Sequence, residues 1–412
     1  MIKLIKNAQV HYPGNPLDKQ YVDLLIIDGI IDRIDEKISL ESADQVVKGD
    51  NLLLFPSLVD MQCTIGEPGD EDKEDFNSAA KAAVAGGFGD IVMLPNTNPV
   101  IDTKATFKGI NSECKDLAVR IHSYGALSKN CEGFELSEMY DLSVAGVVGF
   151  SDGKNPIKDS NMMKRALEYA KGFNALVCSF PLDERINPGG MVNESLENLT
   201  LGLKPSPGLA EEIMLVRDLY LAEYTNSRLH FSTISTKKSI SLIREAKLKD
   251  VNVTCGVAMA NLIYTEKNLA GFDSIFKTNP PLRSESDRKA LIEGLLDGVI
   301  DVIITDHSPE IIENKDREFD YASYGMTMLE TTLSLINEHL PELHWDKMVD
   351  TLSLKPRSIL GLTPPKLEAG EVFDFTLFDT KEVWAYKKET RKTKASNSPL
   401  LNRELLGRVI PI

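Results

Sequence analysis

Two hydrophobic periodicities divide this chain. Residues 1 to about 54 alternate apolar and polar side chains, as in Ile2-Lys3-Leu4-Ile5, Asp23-Leu24-Leu25-Ile26-Ile27-Asp28-Gly29 and Ile31-Asp32-Arg33-Ile34. A period of two marks strands, and Asp-Gly between apolar runs marks a tight hairpin turn. Phe373-Asp374-Phe375-Thr376-Leu377-Phe378 alternates the same way near the other end. The two ends, residues 1–54 and 362–412, are therefore expected to share one small β-sandwich domain.

Between them, over residues 55–361, apolar runs alternate with helical patterns. Strands are expected to end near Gln62-Cys63-Thr64, Leu94, Tyr124, Phe150, Phe180, Thr233, Cys255 and Thr305. Helical periodicity covers Phe76–Ala85, Met162–Lys171, Leu209–Glu223, Lys238–Lys249 and Asp287–Asp297. Eight strands alternating with helices predict an α/β fold, a parallel (β/α)8 TIM barrel whose functional groups sit at the C-terminal strand ends.

Composition narrows the function. The chain has 412 residues, long enough for a barrel with an appended domain. Its 46 Lys and Arg against 62 Asp and Glu leave a formal charge of −16. So acidic a surface argues against nucleic acid or an anionic membrane as partner. No run approaches the roughly 18 apolar residues of a bilayer span, and the N-terminus lacks a signal-peptide pattern. The five cysteines (Cys63, Cys114, Cys131, Cys178, Cys255) form no CxxC and read as reduced thiols of a cytoplasmic protein.

The strand ends carry a set of short motifs. They include Glu67-Pro68-Gly69, Ala85-Gly86-Gly87-Phe88, Asn96-Thr97-Asn98-Pro99, Phe150-Ser151-Asp152-Gly153 and Gly189-Gly190-Met191-Val192-Asn193-Glu194. Further on come Asn279-Pro280-Pro281-Leu282-Arg283, Thr305-Asp306-His307-Ser308-Pro309 and Lys394-Ala395-Ser396-Asn397. In this order and spacing the chain resembles, nearly end to end, the dihydroorotases of the amidohydrolase superfamily. The resemblance implies a metal-dependent barrel that hydrolyses the cyclic amide of dihydroorotate, or closes it, in pyrimidine synthesis. It also implies zinc held by His-x-His after strand 1, an Asp or carboxylated Lys after strand 4, and His after strands 5 and 6. An Asp after strand 8 would be the general base.

At the positions that the resemblance assigns to the zinc histidines stand Gln62, Thr64, Phe180 and Thr233. Asp152 stands at the strand 4 ligand position and Asp306 at the base position. Gln and Thr are weak, neutral donors and Phe has none, so no zinc is expected. The two carboxylates could at most hold a hard cation with waters. Without metal, one of them is expected to have a raised pKa or a Lys or Arg partner. Phe180 is expected to fill part of the vacated space.

Substrate recognition changes too. Gly66 stands where the family's carboxylate-binding Arg belongs, and Glu310 where a His belongs. Asn96 and Asn279 are the candidate substrate contacts that persist. Cys63 is expected to point outward and Cys178 inward. His307 is expected to be structural and to point away from Asp306. His230 is expected on the face opposite Thr233, and the run Lys387–Lys394 on a solvated strand edge.

Three functions follow from the resemblance. The leading one is a catalytically inactive dihydroorotase-like protein with a structural or regulatory role, a homo-oligomer (a dimer) that partners aspartate transcarbamoylase. The second is an active cyclic-amide hydrolase with an altered metal site and substrate, for which Glu310 and the acidic surface suit a cationic ligand. The third is an ordinary dihydroorotase.

Overall fold

The computed structural model describes residues 1–39 and 42–412. The two ends of the chain do build a common sheet. Strands β1 (Ile2–Val10), β2 (Tyr21–Ile27) and β3 (Ile30–Asp35) are joined by β4 (Gln45–Lys48) and β5 (Leu52–Pro56). Asp28 and Gly29 both take positive φ, 50° and 80°, and Ile27 pairs with Ile30 across them. That is the backbone a two-residue hairpin turn requires, and Asp-Gly adopts it at little cost. Leu24 and Ile26 of β2 bury with Ile5, Val10 and Leu54; a register shift of β1 between Ile5 and Ala8 brings Ile5 and Val10 to one face.

The second half of the fold is parallel. Strands β6 (Leu58–Cys63), β7 (Phe88–Met93) and β8 (Arg120–Ser123) form one parallel sheet. Strand β9 (Val177–Ser179) belongs to a second; Val192–Asn193 and Pro205–Ser206 make a short separate ladder, β10 and β11. Strands β12 (Leu229–Phe231), β13 (Val253–Ala258) and β14 (Val302–Ile304) complete the second sheet, in the order β14-β13-β12-β9. Parallel bridges join the sheets at both edges: Gly125 to Phe150 and Phe150 to Val177 on one side, Cys63 to His307 on the other. The fourth strand expected from sequence is thus one residue, Phe150, bridged on both sides, and the seventh runs on to Ala258 rather than ending at Cys255.

Alternation along the strands separates two cores. Val59 and Met61 bury with Val92, Tyr124, Cys178, Ala258, Val302 and Ile304, while Cys63 buries with Ala79, Ala83 and Phe88 beneath the helices. Cys178 faces inward and Cys63 outward, as expected, although Cys63 shares the parity of Val59 and Met61: the register of β6 against β7 shifts between Asp60 and Cys63. The helix Phe76–Gly86 follows from its apolar positions Phe76, Ala79, Ala80 and Ala83. Asp75 and Ser78 cap it reciprocally, and Gly87 ends it at φ 84°, where a Cβ would lie 2.6 Å from Thr376. Observed helices Ser160–Lys171, Gly208–Thr225, Lys237–Leu248 and Glu285–Leu296 match the expected ones within two residues at each end.

Finally β15 (Phe375–Tyr386) and β16 (Arg403–Ile410) return to the first sheet, with Leu377 opposite Leu54. The hydrogen-bonded path is a continuous sheet in the order β16-β15-β5-β1-β2-β3, with β4 on β1. The basic run Lys387–Lys394 is not a strand edge. It is a loop beyond β15 whose Lys392 and Thr393 amides donate to Glu330.

Candidate active site

The C-terminal ends of β6, β12 and β14 bring Gln62, Thr233 and Asp306 together. Asp306 takes a left-handed φ of 51°, uncommon for a residue with a side chain and costly unless its surroundings hold it. Its Oδ1 accepts from the Gln62 amide at 2.9 Å, and its Oδ2 accepts from the Lys154 ammonium at 2.7 Å. The same Gln62 nitrogen lies 3.5 Å from the Thr233 hydroxyl. Lys154 is the residue that sequence reasoning missed. It lies two beyond Asp152, and no spacing rule shows that the turn folds it back onto a carboxylate 152 positions away.

Thr64 and Phe180 have other partners. Thr64 shares its hydroxyl with Ser308 at 3.3 Å. Phe180 is buried in a small apolar cluster with Leu182 and Ala210.

Asp152 faces another way. Its Oδ1 accepts from the Leu127 amide at 2.8 Å and the Ser128 amide at 2.9 Å, and its Oδ2 accepts from the Ser128 hydroxyl. Burial pushes its carboxyl up to about 6, although the Ser128 and Leu127 donors work against that rise. One carboxylate thus has a raised pKa and the other a lysine partner. Both branches of the expectation are met, in different places. Asp152 serves the loop that follows β8 and makes no bond to Asp306.

Asn96, just past β7, meets the backbone of Asp152: its amide donates to the Asp152 carbonyl at 3.1 Å. Asn96 is exposed and Asn279 half-buried. Gly153, at φ 64°, separates Asp152 from Lys154, and a Cβ there would lie 1.7 Å from Asn96 Oδ1. Only glycine fits that turn.

Beneath the site, buried Asp60 accepts from Thr305 through both backbone amide, at 3.1 Å, and hydroxyl. Burial pushes Asp60 up to about 7. His307 points away from Asp306, as expected. Its Nε2 lies 3.4 Å from Glu74, and its Nδ1 accepts from the Met328 amide. His230 shares a 2.8 Å hydrogen bond with Thr254, and burial pushes it down to about 3, so it is a neutral ring. It does not lie on an opposite face: the empty Cβ position of Gly256 touches both His230 and inward-facing Val302. Thr233 lies past the end of β12, where strand parity no longer applies.

The positions that the resemblance assigns to anion recognition are closely packed. A Cβ on Gly66 would lie 2.0 Å from the Asp70 carbonyl oxygen, so this turn has no room for a side chain. Glu310 is buried, lies 3.4 Å from the Lys73 ammonium and accepts from Asn314. It does not present the free negative charge that a cationic substrate would need.

The donor chemistry does not fit zinc. Gln62 and Thr233 are neutral, Phe180 has no lone pair to give, and both Asp306 oxygens already accept from N–H donors. Among the described residues, no helix is long and apolar enough to cross a membrane.

Comparison with known proteins places this arrangement in a family. The profile described as Dihydro-orotase-like matches residues 51–239. The dihydroorotase of Acetivibrio thermocellus is 39% identical over 410 residues, 98% of this chain and 96% of that protein. The dihydroorotase of Geobacter metallireducens is 38% identical over 407 residues, with 98% and 96% covered. Among solved structures, the L-hydantoinase (dihydropyrimidinase) of Arthrobacter aurescens superposes with a TM-score of 0.83 at 20% identity, over 99% of this chain and 93% of that one. The dihydropyrimidinase of Brevibacillus agri gives 0.81 at 20% identity, over 100% and 93%. At that identity the two structures speak for the amidohydrolase fold alone. The sequence relationship speaks for more: this chain belongs to the dihydroorotase family.

Proposed function

We propose that this chain is a dihydroorotase-like protein of pyrimidine biosynthesis that has lost zinc and ring-hydrolysing activity and now serves a structural or regulatory role. Its parallel strands are read as a closed (β/α)8 barrel over residues 55–361, with residues 1–54 and 362–412 as the β-sandwich domain. The observation that carries the reading is the state of Asp306. The base position is ion-paired to Lys154 and hydrogen-bonded by Gln62, so each of its two oxygens already has a partner within the protein. Activating a water takes a free base and a Lewis acid, which lowers the water pKa from about 15.7 to about 7. The residues here offer neither.

The proposed partner is aspartate transcarbamoylase, in the cytoplasm, with this chain as a homodimer. A body of this size with a closed site has its surface left to contribute. Size-exclusion chromatography of the two purified proteins tests the partnership. Co-elution at a fixed ratio supports it, and separate elution of a monomer refutes it.

A further inference from the structure

We infer that Lys154 is this chain's built-in replacement for a metal ion, supplying from within the positive charge that Asp306 would otherwise take from a bound cation. The inference deepens the zinc-free reading above and rests on it.

Three observations meet at this residue. First, the Asp306 side chain is only 11% exposed, and a carboxylate so little hydrated needs a partner. Lys154 provides it at 2.7 Å, with its own side chain 22% exposed. Second, the neighbouring polar group is turned toward the wrong chemistry for a cation. Ionised Asp306 only accepts hydrogen bonds, so the 2.9 Å contact fixes the Gln62 NH2 group, and not its carbonyl, toward the centre. A metal would meet N–H donors and an ammonium where it needs lone pairs. Third, the chain is shaped to deliver this lysine. Gly153 takes φ 64° in contact with Asn96, and Asp306 takes φ 51°; neither backbone is one that an ordinary residue adopts freely. Asp152, which could have supplied a second carboxylate, is held on Ser128 and Leu127 instead.

The centre is therefore closed to divalent cations by Lys154 itself, and removing its charge opens Asp306 to them. The experiment is thermal unfolding with and without millimolar Mn2+, a hard cation suited to oxygen ligands, on wild type, Lys154→Arg, Lys154→Gln, Asp306→Asn and the Lys154→Gln/Asp306→Asn double variant. Wild type and Lys154→Arg should show no Mn2+ response. Lys154→Gln should unfold about 4 °C lower and recover with Mn2+. Adding Asp306→Asn should cancel both the loss and the response, because no unpaired carboxylate then remains. If Lys154→Gln alone does not fold, the double variant should fold, and its failure to do so overturns the inference. A folded Lys154→Gln protein that ignores Mn2+ or loses no stability also overturns it, and leaves the zinc-free reading standing. Stoichiometric metal in the wild-type protein overturns that reading and the inference together.

Discussion

Ser128 closes on Asp152 from two sides: its backbone amide donates to Oδ1 at 2.9 Å and its hydroxyl to Oδ2. A carboxylate held this way, with Leu127 adding a third donor, anchors the loop beyond β8. Ser128→Ala removes the hydroxyl, which also accepts from the Gly133 amide. Loss of a buried bond to a charged group costs about 2 kcal/mol. Denaturant unfolding should show that loss. Combining Ser128→Ala with Asp152→Asn should cost less than the sum of the two, because both act on one network.

The pH dependence of stability has a definite sign. Burial raises Asp60 to about 7 and Asp152 to about 6, both above the carboxylate's ordinary 3.8. A raised acid pKa favours the neutral form in the folded state. Its stabilising contribution is complete below about pH 4 and is lost as pH rises through about 6 to 7. Asp60→Asn, which cannot ionise, should therefore gain stability relative to wild type as pH rises from about 4 to about 7.5. The Asn carbonyl can still accept one of the Thr305 bonds. Chemical denaturation across that range measures the difference, which is on the order of a few kcal/mol. A constant difference would contradict the burial account of Asp60.

Restoring single features should not restore the site. Gln62→His with Thr64→His replaces two of the four altered positions and leaves Phe180, Thr233 and the Lys154 ammonium unchanged. The double variant should bind no stoichiometric zinc and should not turn over dihydroorotate. Gly66→Arg should fare worse. Its Cβ would meet the Asp70 carbonyl oxygen at 2.0 Å, so the turn from Gly66 to Glu74 must move. The expected cost is about 3 kcal/mol, seen as a lowered unfolding midpoint without any gain in substrate binding.

Much of this molecule was legible in its sequence, for reasons of period. Apolar alternation located β2 and β15, the Asp28-Gly29 turn announced its hairpin, and helical spacing placed Phe76–Gly86 almost to the residue. Phe150 was not legible as a lone bridging residue, because an apolar residue before a turn looks the same in a long strand and a short one. The identities at Gln62, Phe180 and Thr233 could be read directly, since a missing donor is a property of the residue. What replaced the donor could not. Lys154 meets Asp306, and Ser128 meets Asp152, through turns whose geometry depends on Gly153 and on the loop beyond β8. Local pattern carries no record of such long-range pairing.

An Asp306 centre built as proposed holds no zinc and does no ring chemistry. Elemental analysis of the purified protein, paired with a dihydroorotate assay in added zinc, tests it most directly. The account predicts zinc well below one equivalent per chain and no turnover with or without the added metal. One equivalent of zinc together with zinc-dependent turnover of dihydroorotate would contradict it.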